Sequence, residues 1–63
     1  MPDDFVVFSS ELISVLRFKR IGPDNWGKLI RRSGGWHFSD NVGDSTAKDA
    51  FDCADNEVFF RHE

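Results

Sequence analysis

The sequence predicts an α+β domain in which a small antiparallel sheet of three to five strands packs on one amphipathic helix. Apolar and polar residues alternate through residues 15–40, as they do in half-buried strands. Turn signals at residues 22–25 and 33–35 divide this stretch into a three-stranded meander. Residues 46–55 then change to the helical period. No linker or repeat interrupts residues 1–63, so we expect a single domain.

The first third of the chain contains one clear strand and one ambiguous segment. The apolar run at residues 5–8 predicts a strand, and Ser9-Ser10 is typical of either a turn or a helix cap. Residues 10–21 fit both a helix and a strand, because their apolar positions satisfy both periods. A helix there would favour the alternative fold, which is mainly helical with a short hairpin.

Turn chemistry frames the middle of the chain. Pro23 fixes φ, and the Asp and Asn that follow it bond back to the backbone, so residues 22–25 predict a turn. Ser33-Gly34-Gly35 is the clearest hairpin signal, and the residues after it alternate as a half-buried strand should. Residues 26–32 are assigned to a strand. The rival interpretation is a helix at residues 23–33 that begins at Pro23 and ends at Gly34.

The last third predicts the helix and a closing strand. Within about 46–55, one narrow face carries small and apolar residues, and the opposite arc carries Asp49, Asp52 and Asp55. Asp44 or Ser45 is expected to cap this helix. Residues 57–61 are then expected to close the sheet.

A chain of 63 residues buries only about 60% of the surface that its unfolded form exposes. We therefore expect nearly all of its large apolar residues to be buried in one core. The candidate core residues are Phe5, Val7, Phe8, Leu12, Ile13, Val15, Leu16, Phe18, Ile21, Trp26, Leu29, Ile30, Trp36, Phe38, Phe51, Val58, Phe59 and Phe60.

Cysteine content and the start of the chain predict a cytoplasmic setting, in the host cytoplasm if the gene is viral. Cys53 is the only cysteine, so no disulfide within the chain and no thiolate zinc cluster is expected. The first residues are acidic where a signal peptide is basic, and no apolar run has the length of a membrane span. We expect no contact with a membrane.

No chemistry-bearing set of residues is complete. Residues 22–28 have the Gly-x4-Gly-Lys spacing of a phosphate-binding loop, but Leu29 stands where a Ser or Thr must hold Mg²⁺. His37 lies three residues before Asp40 and is able to form a His–carboxylate pair with it, but a domain of 63 residues rarely encloses the substrate cleft that acid–base catalysis needs. We therefore expect a non-enzymatic protein with no catalytic, cofactor-binding or metal-binding residues.

The charges are divided along the chain, although the net charge is only −3. Residues 12–39 have a local balance of +5 and residues 40–60 a balance of −5. Such a division indicates charged partners, and Arg and Trp are enriched at binding hot spots. We therefore expect a partner protein to contact the acidic helix and selected anchors: Asp40, Asp44, Asp49, Asp52, Asp55, Trp26, Arg31 and Arg32.

The expected function is a protein-binding inhibitor or adaptor of viral or mobile-element type. In its size and its acidic face, though in no motif, the chain resembles the small inhibitor proteins of bacterial viruses, such as DNA mimics and anti-CRISPR proteins. The alternative is a small nucleic-acid-binding regulator that uses the basic strip at residues 17–32, where cations and aromatic residues are interleaved. A homodimer is a further expectation, because self-association would stabilise so small a core.

Overall fold

A computed structural model describes residues 1–53 and the backbone of residues 59–60. The described residues form five strands and one helix, in the order β1 (Asp4–Ser9), β2 (Ser14–Gly22), β3 (Asn25–Arg32), β4 (Gly35–Val42), α1 (Asp44–Cys53) and β5 (Phe59–Phe60). All strands belong to one antiparallel sheet of order β4-β3-β2-β1-β5. The predicted α+β fold, an antiparallel meander packed on a single helix, is confirmed.

Neither residues 10–21 nor residues 23–33 contain a helix, because most of them form β2 and β3, so the mainly helical alternative is wrong. Residues 10–13 form the turn that joins β1 to β2, and within it the Leu12 N–H donates to Ser9 Oγ at 3.2 Å. Pairing of β2 with β1 on one side and β3 on the other satisfies the backbone of both segments. Long-range strand pairing therefore selects strand over helix in segments whose apolar residues fit both periods.

Local turn chemistry forms the β3–β4 hairpin as predicted. Ser33 and Gly34 connect the two strands, and both have positive φ angles, of 46° and 79°. A two-residue loop with positive φ at both positions matches the right-handed twist of the flanking strands. The hairpin then pairs from Arg32↔Gly35 to Trp26↔Val42, and Ser39 is an extra residue in β4 that shifts the register.

The helix begins at Asp44, two residues before the predicted start, and its described part ends at Cys53. The prediction that Asp44 or Ser45 caps it is wrong. The Asp44 backbone N–H instead donates to the carboxylate of Asp24, at 2.7 Å, from the turn between β2 and β3. A side chain twenty positions away in sequence thus performs the capping role. The predicted helix end at Asp55-Asn56 lies outside the described residues.

The core lies between α1 and one face of the sheet. Its fully buried centre consists of Phe5 and Trp26, whose rings contact edge to face at 5.7 Å between centroids. Phe5 also stacks on Phe18 and meets the edge of Phe51. The remaining core members, on sheet and helix, are Val7, Leu16, Ala47, Ile30, Val42 and Ala50.

The expectation that nearly all large apolar residues enter the core is wrong. Phe8, Leu12, Ile13, Ile21 and Phe38 are exposed. The physical reason is geometric: a ten-residue helix is about 15 Å long and covers only one face of the sheet. Phe8, Ile21 and Phe38 have the other strand parity and therefore face away from the helix. Leu12 and Ile13 lie in the turn between β1 and β2. The side chains of the candidate core residues Val58, Phe59 and Phe60 lie outside the described part of the chain.

Candidate interaction surface

The residues that the sequence predicted for partner binding do not form one surface. Asp49 and Asp52 are exposed on α1, and Asp40 is exposed on β4. Lys48 forms an ion pair with Asp52 at 2.6 Å, which reduces the negative charge of the helix face. Asp55 lies outside the described residues. The acidic face predicted for the helix is therefore present, but weaker than the sequence alone indicates.

Trp26 is not available as a surface anchor, because it is 0% exposed. Its indole Nε1–H donates to the carboxylate of Asp44 at 2.8 Å. Arg20 completes this group: its guanidinium lies 3.2 Å from Asp44 and 4.6 Å from the Trp26 ring centroid. The indole hydrogen bond, and then the Arg20 charge, lower the pKa of Asp44. Trp26 and Asp44 thus attach the helix to the sheet. The predicted role of Trp26 as a surface anchor is wrong because its side chain is buried, whereas the Asp44 side chain is half exposed and its contact role stays a prediction.

The basic strip at residues 17–32 is also not a continuous surface. Strand alternation places Arg17, Lys19 and Arg31 on the sheet face away from α1. Lys28 and Arg32 share strand parity with the buried Trp26 and belong to the helix side.

The sheet face opposite α1, called the open face below, is the most distinctive surface of the described chain. Its residues are Val6 and Phe8 of β1, Val15, Arg17, Lys19 and Ile21 of β2, Gly27, Leu29 and Arg31 of β3, and Trp36, Phe38 and Asn41 of β4. Within residues 1–53 and 59–60, no helix or second sheet packs on it.

The centre of the open face is apolar and partly exposed. Phe38 is 61% exposed and Ile21 57% exposed, and both lie over Gly27. A methyl group built on Gly27 would lie 3.8 Å from the Phe38 ring and 4.0 Å from Ile21. Leu29 pairs with Phe38 in the ladder and is half-buried. Phe8, 41% exposed, extends the same face to β1.

Cations and one ion pair surround this centre. Arg17 binds Asp4 through two hydrogen bonds, at 2.8 and 2.5 Å, and the pair is largely buried. The Trp36 ring lies between Arg17 and Arg31, whose guanidinium carbons are 6.0 and 5.7 Å from its centroid. Lys19 and Arg31 are exposed, and among residues 1–53 neither has a carboxylate within ion-pair distance.

Sequence reasoning assigned six apolar residues of the open face to the core: Phe8, Val15, Ile21, Leu29, Trp36 and Phe38. The signal that identifies them is the occurrence of adjacent apolar pairs within single strands, such as Val7–Phe8 and Val15–Leu16. Because successive side chains in a strand point to opposite faces, such pairs place apolar groups on both sides of the sheet.

No arrangement among the described residues indicates catalysis. His37 is exposed, and its Nε2 lies 3.2 Å from the Arg32 carbonyl oxygen. Among residues 1–53, no three His, Cys, Asp or Glu side chains come together as metal ligands would. Within the same part of the chain, no helix has the length and hydropathy needed to cross a bilayer.

Comparisons with protein-family models, with curated proteins and with solved structures found no significant match.

Proposed function

We propose that this protein is a non-enzymatic protein-binding module whose contact surface is the open face. The observation that carries the proposal is the exposure of Phe38 and Ile21 together over Gly27, on a face that no other described element covers. The largest apolar patch on the surface of a monomeric protein is often functional. The proposed role remains that of an inhibitor or adaptor.

The exposed area is large enough to contribute substantially to binding. From the exposed fractions of Phe38 and Ile21, the patch presents roughly 200 Å² of apolar surface. Covering it would contribute about 5 kcal/mol before the costs of association, at about 25 cal/mol per Å². Trp36, held between two guanidinium groups, adds the residue types that dominate binding energies.

The acidic side of the molecule is not part of the proposed contact surface. Asp49, Asp52 and Asp40 are exposed, but α1 lies on the other side of the sheet from the open face. The proposal includes a cytoplasmic setting and a viral or mobile-element origin, supported by the single cysteine and by the small size of the chain.

The second candidate function is binding of single-stranded nucleic acid. One observation favours it: Trp36 and Phe38 lie on the same face as Lys19 and Arg31, and aromatic rings with nearby cations bind bases and phosphates. It is less supported, because Ile21, Leu29 and Val15 make the face more aliphatic than stacking alone requires. The net charge of −3 also opposes it.

Site-specific photo-cross-linking in cells that express the gene tests the proposal. A benzoylphenylalanine placed at Phe38 should cross-link one protein in stoichiometric yield, and the same probe at Asp49 should not capture it. Phe38→Ser should abolish recovery of that protein from affinity purification, whereas Asp49→Asn should retain it. Equal capture from both probe positions, or recovery unchanged by Phe38→Ser, would refute the open face as the contact surface.

A further inference from the structure

We infer that the partner of the open face is a protein with an acidic surface, in which carboxylates surround an apolar centre. This inference rests on the proposed function and adds the chemistry of the partner to it. It is carried by the position of Lys19 and Arg31 relative to the apolar centre of the face, and by the absence of acidic partners for them among residues 1–53.

The two cations flank the apolar centre from opposite ends. Lys19 pairs with Gly27, and Arg31 lies four residues further along β3, opposite Trp36. The two positions are therefore about 13 Å apart along the strands, at about 3.3 Å per residue. Leu29 and Phe38 form a ladder pair between them. At physiological salt this separation exceeds the Debye length of about 8 Å, so each cation attracts a partner charge almost independently.

The remaining described charges leave the open face positive. The Asp4 carboxylate, on the same face, is bound bidentately by Arg17. Asp49 and Asp52 project from α1, which lies on the other side of the sheet. Among the described residues, the open face thus presents two cations that form no ion pair, Lys19 and Arg31, around an apolar centre, and a surface with the reverse sign complements it.

A second copy of this chain fits the face poorly. In a two-fold contact through the open face, two faces that both carry exposed cations would meet each other. An acidic helix of one copy on the open face of another would be a head-to-tail contact, which extends into open assemblies.

The test removes the two cations while a matched control removes the same charge elsewhere. Lys19→Gln/Arg31→Gln changes the open face, and Lys28→Gln/Arg32→Gln changes the helix side of the same sheet by the same amount. Association of each double variant with the protein cross-linked at Phe38 is measured by biolayer interferometry at about 50 mM and about 1 M NaCl. Circular dichroism and urea unfolding confirm that both variants remain folded.

At low salt, Lys19→Gln/Arg31→Gln should slow association about tenfold, and the control should change it less than about twofold. At 1 M salt the difference should vanish, because the Debye length falls to about 3 Å. Equal effects of the two double variants, or no effect of either, would overturn the acidic partner while leaving the protein-binding function intact. If no protein cross-links at Phe38, the proposed function itself fails.

Two parallel measurements test the other occupants. Fluorescence anisotropy with fluorescein-labelled oligodeoxythymidine and oligouridine should show no binding that depends on Lys19 and Arg31. Sedimentation equilibrium should show a monomer for the purified chain. Tight oligonucleotide binding lost in Lys19→Gln/Arg31→Gln would replace the acidic protein with nucleic acid, and a dimer lost in Phe38→Ser would replace it with a second copy.

Discussion

Replacing one phenylalanine on each face of the sheet tests which face holds the core. Phe5 is fully buried against Phe18, Trp26 and Phe51, whereas Phe38 is 61% exposed on the open face. Both are phenylalanines in strands of the same sheet, so Phe5→Ala and Phe38→Ala delete the same atoms from opposite sides. Any difference in stability between the two variants therefore measures the difference in burial.

The expected magnitudes differ severalfold. Truncation of a fully buried Phe costs about 3–5 kcal/mol, because the transfer free energy is lost and a cavity remains. Phe38 buries about two-fifths of its surface, roughly 80 Å², so Phe38→Ala should cost about 1 kcal/mol after allowance for residual burial in the unfolded chain. A domain of this length has a total stability of about 3–9 kcal/mol. Phe5→Ala should thus remove a third or more of this free energy of unfolding.

Urea unfolding followed by far-UV circular dichroism measures both free energies at 25 °C. Phe5→Leu provides a milder variant if Phe5→Ala does not fold, and should cost about 1–2 kcal/mol through its lost ring contacts. A cost for Phe38→Ala equal to or greater than that for Phe5→Ala would refute the assignment of the two faces. It would also remove the basis for the open face as a binding surface.

Three further predictions follow from the polar contacts and the backbone. The pKa of Asp44 is lowered in the fold by the Trp26 hydrogen bond and by Arg20, so its contribution to stability is complete above its ordinary value of 3.8 and is lost as pH falls through the folded pKa. Below pH 3.8 the urea midpoint should therefore fall more steeply in the wild type than in Asp44→Asn, and parallel curves would contradict this. Asp24→Ala should lower the free energy of unfolding by about 1 kcal/mol because it removes the helix cap, whereas Asp24→Asn should keep most of the wild-type stability. Thermal unfolding of both variants measures the difference. Ile13→Asn should raise stability by about 1 kcal/mol, because Ile13 is 80% exposed and has a φ of 51°, which a β-branched residue adopts with strain; a lower melting temperature would exclude this.

Elements that depend on local turn chemistry or local periodicity could be predicted from the sequence alone. The hairpin at Ser33-Gly34 follows from two residues that tolerate positive φ, and the turn at Pro23 follows from a fixed φ and short polar neighbours. Helical periodicity located α1 to within two residues of its observed start. The α+β class follows from these elements together.

Which apolar residues are buried, and what each charge contacts, depend on how the helix packs on the sheet. Phe8, Ile21 and Phe38 are large apolar residues within strands, as many core residues are. They are exposed because the single described helix covers the other face. Trp26 and Asp44 are 18 positions apart and meet only when α1 packs on the sheet. Strand alternation then divides one run of cations between two faces. Periodicity specifies that a strand has two faces, but the element that packs against one of them decides which face remains available for a partner.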